Sequence, residues 1–107
     1  MALHFNSKLR LDKQQKMALE IALEHLETEI YLFGSRTNPD SKGGDVDVFV
    51  LNDGNQEENY ILQKKIIRKY QQICDERIDV IVLPLVHSME YAQRVFFEST
   101  EKICLTS

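Results

Sequence analysis

The chain has 107 residues, a formal net charge of −4, 43% hydrophobic residues and 28% charged residues. These values are typical of one globular domain built around one core. They disfavour a dedicated nucleic-acid binder, because no basic run is present, and a membrane-spanning protein, because no apolar stretch approaches the roughly 20 residues that a bilayer requires.

The terminus and the cysteines favour a reducing compartment. The N-terminal residues Met1–Phe5 lack the charged and apolar regions of a signal peptide. The two cysteines, Cys74 and Cys104, have neither metal-binding nor redox spacing, so we expect free thiols. The sequence therefore predicts a cytoplasmic protein with a single domain over residues 1–107, of which residues 1–8 are expected to be flexible.

Hydrophobic periodicity and turn residues predict alternating helices and strands. The predicted elements are, in chain order, a helix capped by Asp12 and ending near Glu27, a strand from Thr28 or Glu29 to Phe33, a loop over 34–44 with one helical turn, a strand over Asp45–Leu51, a helix over Gln56–Asp75, a strand over Arg77–Leu83, a helix from Ser88 to about Ser99, and a short edge strand over Ile103–Leu105. This pattern predicts an α/β (α+β) fold in which about four helices flank a small sheet.

Carboxylates occur where apolar strands are expected. Gly34 and Ser35 end the first apolar run, and nine residues separate Ser35 from Asp45, which opens the second run together with Asp47. The third run contains Asp79. A carboxylate inside an apolar strand is costly unless something compensates it. Because side chains two residues apart share one face of a strand, Asp45 and Asp47 should point the same way.

The crossover helix between the second and third strands would bring these carboxylates onto one surface. Three neighbouring carboxylates do not all stay ionised without cations. Magnesium prefers oxygen ligands, and two such ions can hold the attacking and leaving oxygens of an in-line displacement. We therefore expect Asp45 and Asp47 to bind metal as bridging ligands, and Asp79 to complete the nucleophile-side site or to accept a proton.

The Gly-Ser turn is a candidate phosphate site. Gly34 would let the backbone approach a phosphate closely. Ser35 could donate from its hydroxyl and its N–H group, and the guanidinium of Arg36 suits a phosphate. The predicted transfer is that of a nucleoside monophosphate, with pyrophosphate as the leaving group.

Gly34-Ser35, the spacer, Asp45-Val46-Asp47 and the later Asp79 resemble the signature of the minimal nucleotidyltransferases of the DNA polymerase beta superfamily. Relatives in that family often have glycine where this chain has Asn38, and serine where it has Gly44. The resemblance implies a small mixed sheet, ATP as the donor and two Mg²⁺ ions.

The resemblance also implies a partner. Stand-alone members are similar to MntA-type antitoxins, which pair with helical HEPN ribonuclease toxins in toxin–antitoxin systems. The implied reaction is AMPylation, in which AMP passes from ATP to a tyrosine hydroxyl of the toxin and silences it. We expect either a homo-oligomer or a hetero-oligomer with such a partner, and no direct binding of nucleic acid.

Two other functions stay open at this point. The chain could act on a small hydroxyl-bearing acceptor such as an antibiotic, with a partner subunit supplying the pocket. It could also be a binding subunit that inhibits its partner by contact alone. The three aspartates favour catalysis over the second alternative.

Overall fold

A computed structural model describes residues 3–106 as three helices and a four-stranded sheet. The elements are α1 (Lys13–Ala22), β1 (Ile30–Phe33), β2 (Val46–Leu51), α2 (Gln56–Ile73), β3 (Ile78–Leu83), α3 (Tyr91–Ser99) and β4 (Lys102–Cys104), with 3₁₀ turns at Gly34–Thr37 and Val86–Ser88. The strand order is β3-β2-β1-β4, with β2 and β3 parallel and the other pairs antiparallel. The sheet is therefore mixed, as the family resemblance implies.

One face of the sheet is covered by α1 and α2. The valines of β2 point to this side and are at most 1% exposed. They pack against apolar residues of both helices, and these contacts make the main core. The members of this core that the strands and the two helices contribute are Ile30, Leu32, Val46, Val48, Val50, Ile78, Val80, Ala18, Leu19, Ala22, Ile66 and Tyr70.

The opposite face is covered in part by α3. Phe49 and Leu51 point to this side, where they pack with Leu83 of β3 and with Met89 and Phe97. Phe49 is fully buried, and its ring lies edge-on to that of Phe97 at 5.4 Å. The side chains of β2 thus alternate between two apolar clusters, and α3 is the cover of the smaller one.

The first helix ends earlier than predicted. Asp12 caps it as expected, in a capping box with Gln15. The helix stops at Ala22, not near Glu27. The chain turns through His25, which has a φ of 68°, and this left-handed residue redirects the backbone toward β1. The prediction was wrong because no glycine marks the turn.

The last helix also differs from its prediction. Ser88 ends a 3₁₀ turn and does not cap α3. The N-cap is Glu90, whose backbone N–H donates to Oε1 of Gln93 at 3.0 Å. Met89 between them has an extended backbone and a buried side chain, so the chain cannot continue one helix from Ser88 through this point. The edge strand lies one residue before its predicted position, at Lys102–Cys104.

The N-terminal segment contacts the end of the chain. The backbone N–H of His4 donates to the carbonyl of Leu105 at 2.8 Å. Leu3 and Phe5 pack against the main core. Residues 1 and 2 lie outside the described residues, and the flexibility expected for residues 1–8 stays a prediction. Between residues 3 and 106, no helix is long and apolar enough to cross a membrane.

Candidate functional site

The pairing of β2 with β3 brings two of the predicted carboxylates together. In the parallel register, Asp47 lies beside Asp79. Both side chains are partly buried, and both lie on the α3 side of the sheet because their neighbours Val48 and Val80 point into the main core. The crossover through α2 therefore produces the convergence that the sequence predicts for these two residues.

Asp45 joins this pair through an arginine. The Nε of Arg77 lies 3.5 Å from a carboxylate oxygen of Asp45 and 3.6 Å from one of Asp79. The Arg77 side chain is 75% exposed, so solvent screens both ion pairs and each stabilises the fold only weakly. Their importance is positional, because one cation lies between a carboxylate just before β2 and a carboxylate of β3.

Asp47 binds a proton more tightly than an ordinary aspartate does. The pKa of Asp47 is raised from an ordinary value of 3.8 to about 6. Partial burial is the largest cause, followed by a hydrogen bond with Asp79 and by repulsion from Asp79 and Asp45, while Arg77 opposes the shift. The carboxylates therefore repel one another, and Arg77 offsets this repulsion only in part. A bound cation would reduce the repulsion further.

Gly34 lies against the carboxylates of this cluster. Its φ is 77°, a left-handed conformation that favours glycine, and a Cβ placed there would lie 2.5 Å from Oδ2 of Asp47. Phe33, the preceding residue, pairs with Asp47 across the antiparallel β1–β2 ladder. The Gly-Ser turn and the carboxylates are thus adjacent parts of one surface.

The loop after this turn closes tightly on Ser35. Gly44 has a φ of 87°, and a Cβ at this position would collide with the Ser35 hydroxyl. Any other side chain at position 44 would have to displace Ser35, so glycine here permits a close return of the loop before β2. The helical turn that the sequence predicts in the loop is the 3₁₀ turn at Gly34–Thr37.

A cavity of about 570 Å³ lies on the open side of this loop. It is bordered by the start of the loop, by its tip and by the segment between α3 and β4. Its lining residues are Phe33, Gly34, Ser35, Thr37, Asn38, Pro39, Ser41, Thr100 and Glu101. Of the predicted phosphate-binding residues, Gly34 and Ser35 line it.

Arg36, the third predicted phosphate-binding residue, forms hydrogen bonds to the backbone. Its Nη1 donates to the carbonyl of Arg10 at 2.8 Å, and its Nε donates to the carbonyl of Gly44 at 3.2 Å. The side chain is therefore bound to backbone carbonyls, and it is not among the cavity-lining residues. These contacts give Arg36 a structural role in the loop, and its contact with phosphate stays a prediction.

The residues fit a divalent cation by chemistry. Carboxylate oxygens are the ligands that magnesium prefers, and substrate phosphates and water commonly complete its shell. Within residues 3–106, no group of three or more His, Cys, Asp or Glu side chains is arranged to hold a metal ion. Asp47 and Asp79 are neighbours in the β2–β3 register and could hold one, while Arg77 contacts both Asp45 and Asp79.

Two arginines that contact these elements, Arg77 and Arg10, lie outside the predicted site residues. Arg77 has a local signal, because it lies just before β3 and two residues before Asp79. Arg10 has no local signal, since its contacts lie 25 to 33 positions away in the sequence.

Comparison with known proteins agrees with this geometry. The family model of the nucleotidyltransferase domain matches residues 12–103. The fold is similar to the crystal structure of a candidate nucleotidyltransferase from Sulfolobus solfataricus, with a TM-score of 0.51 and 21% sequence identity over 86% of this chain and 76% of that one. A comparison with curated proteins found no match. The family match spans both the Gly-Ser turn and the three aspartates, and the chain therefore belongs to the nucleotidyltransferase domain family.

Proposed function

We propose that this protein transfers AMP from Mg-ATP to a hydroxyl group, and that the acceptor is a tyrosine of a helical HEPN-type toxin. The observation that carries the transfer is the adjacency of Gly34, Asp47 and Asp79, which combines a close backbone approach with paired carboxylates. The family match supports the reaction class. The donor base, the acceptor and the antitoxin role are our proposal.

Each site residue has a proposed task. Asp47 and Asp79, with Asp45, would hold Mg²⁺, and the bound ions would stabilise the charge that develops on the transferred phosphoryl group. Gly34 and Ser35 would face the outer phosphates from the cavity wall. Asp79, at the exposed side of β3, would orient the acceptor hydroxyl or accept its proton.

The exposed surface of α3 supports a protein acceptor over a small molecule. Tyr91 is 81% exposed, and Val95 and Phe96 are 46% and 45% exposed. The Phe96 ring packs edge-on against Phe49, which shares a face of β2 with Asp47. An apolar surface of this kind favours contact with another protein, and such a partner could present its tyrosine to the carboxylates.

The direct test is a transfer reaction with the product of a neighbouring HEPN gene. The full chain is mixed with that protein, ATP and Mg²⁺, and intact-mass and peptide mass spectrometry follow the acceptor. We expect an increment of one or more AMP groups on tyrosine. Asp45→Asn and Asp47→Asn should abolish the increment, and Asp79→Asn should slow it by at least about a hundredfold.

The matched control is Asp75→Asn, which makes the same substitution at an exposed aspartate just after α2 and should leave transfer unchanged. A chain with all three site aspartates replaced separates catalysis from binding. If that triple variant still neutralises the toxin and no modified residue is found, the protein inhibits by contact. If AMP appears only on small hydroxyl compounds, the proposed acceptor is wrong and the reaction class stands.

A further inference from the structure

Arg10 binds three separate carbonyls of the loop that follows Gly34. Its Nη2 donates to Ser35 at 2.9 Å and to Gly43 at 2.8 Å, and its Nε donates to Asn38 at 3.0 Å. These carbonyls come from the start, the middle and the end of the loop. A planar guanidinium has five N–H donors in a fixed arrangement, so it can hold three carbonyls in one geometry.

The backbone of Arg10 adds two more contacts to the same loop. Its N–H donates to the carbonyl of Arg36 at 3.0 Å, and its own carbonyl accepts from Nη1 of Arg36 at 2.8 Å. The flanking residues Leu9 and Leu11 are 6% and 7% exposed and belong to the main core. Arg10 therefore projects from a backbone that the core fixes, and it connects the loop to that core.

Arg10 acts from behind the loop. Neither Arg10 nor Arg36 is among the residues that line the 570 Å³ cavity, whereas Ser35 and Asn38 line it and give their carbonyls to Arg10. Carbonyls that are held by a guanidinium cannot turn toward the cavity, where their negative ends would repel a phosphate. The same contacts hold the loop in one shape before any ligand arrives.

We infer that Arg10 is a positioning residue for the nucleotide: it binds the carbonyls of Ser35, Asn38 and Gly43, and so presents the Gly-Ser turn to the triphosphate. This inference rests on the proposed function, since it assumes that the cavity binds a nucleoside triphosphate. Preorganisation of a loop increases affinity because the ligand does not have to order it. Arg10 should thus act on nucleotide affinity without contacting the nucleotide.

The test compares the full parent chain with Arg10→Lys and Arg10→Gln. Lysine keeps the charge but replaces the planar fork with a single ammonium, so it cannot hold all three carbonyls in the same geometry. The matched control is Arg68→Lys, at an exposed arginine of α2. Calorimetric titration with Mg-ATP gives the affinity, amide hydrogen exchange gives the opening of residues 34–44, and thermal unfolding gives the stability of each variant.

We expect both Arg10 variants to exchange the loop amides faster and to bind Mg-ATP at least about tenfold more weakly, with the amides of α2 unaffected. The Arg68→Lys variant should match the parent. Full affinity in Arg10→Lys would overturn the inference, because charge alone would then suffice. Unchanged loop exchange in Arg10→Gln would overturn it as well. If the parent binds none of ATP, GTP, CTP and UTP, the proposed function fails and this inference fails with it.

Discussion

The two faces of the sheet have different roles. On the face covered by α1 and α2, Val46, Val48 and Val50 are at most 1% exposed and contact only the main core. On the other face, Phe49 is equally buried, but Asp47 two residues before it is only partly buried and lies beside Asp79. One strand therefore stabilises the fold on one face and carries the carboxylates on the other.

This difference shows where the protein tolerates unfavourable electrostatics. Burying an unpaired charge in the closed core would cost several kcal/mol. The open face avoids that cost because solvent, Arg77 and a ligand can reach its carboxylates. Substitutions on the two faces should therefore differ in their effect on the free energy of unfolding.

An aspartate one residue after Asp47 should destabilise the protein, because its side chain would point into the main core. Val48→Asp places an unpaired charge in the main core, and we expect it to lower the free energy of unfolding by at least about 3–5 kcal/mol or to prevent folding. Urea denaturation followed by circular dichroism measures the change. The same substitution at Val95, which is 46% exposed on α3, is the control and should cost less than about 0.5 kcal/mol. Similar losses in the free energy of unfolding at both positions would mean that water reaches the main core at position 48.

Gly34→Ala should destabilise the protein through two separable causes. Alanine is strained at a φ of 77°, and its Cβ would lie 2.5 Å from Oδ2 of Asp47. We expect a cost of about 1–3 kcal/mol, together with a loss of Mg-ATP affinity measured by calorimetry. Gly43→Ala is the matched control in the same loop, because its φ is 66° and its Cβ would meet nothing within 4 Å. Equal effects of the two variants on stability and affinity would show that the approach to Asp47 has no consequence.

Asp47→Asn should raise stability in the absence of metal. The folded-state pKa of about 6 exceeds the ordinary 3.8, so the folded protein binds this proton more tightly than the unfolded chain does. The parent therefore loses stability as pH rises from about 4 to about 6, and the variant lacks this loss. Above pH 6 we expect a gain of about 1 kcal/mol, since solvent screens part of the repulsion.

The measurement is thermal unfolding in EDTA at pH 7.5 and at pH 4. The gain should be full at pH 7.5 and nearly absent at pH 4. Added Mg-ATP should stabilise the parent more than the variant, by mass action. A variant less stable than the parent in EDTA at pH 7.5 would indicate that the Asp47 carboxylate has a structural partner.

The smallest effect is expected on the closed face. The Tyr70 side chain is fully buried there, and among residues 3–106 its hydroxyl has no N or O partner, while burial raises its pKa. Tyr70→Phe removes a buried polar group that has no partner, so we expect the free energy of unfolding to stay the same or to rise by less than about 1 kcal/mol. Equilibrium denaturation in urea measures the change, and a larger loss would indicate that the hydroxyl makes a stabilising hydrogen bond in the folded protein.

Local patterns predicted most of the fold. The pattern of apolar residues predicted the ends of β1, β2 and β3 to within two residues. This was possible because side chains alternate between the two faces of a strand, so the sequence of the strand shows which face is buried. Helix ends were predicted less well where an uncommon residue made the turn, as at His25, or where the N-cap was a glutamate, as at Glu90. Such ends depend on the direction in which the chain must continue.

The sequence by itself determined that Asp45, Asp47 and Asp79 occur at or within strands and that a Gly-Ser turn precedes them. Only the tertiary structure decided which of these groups meet: the parallel register places Asp47 beside Asp79, and the β1–β2 ladder brings Gly34 against Asp47. The role of Arg10 belongs to the same category. A long, charged side chain has no preferred partner in its own segment, so its contacts are chosen by whatever carbonyls and carboxylates the fold brings within its reach.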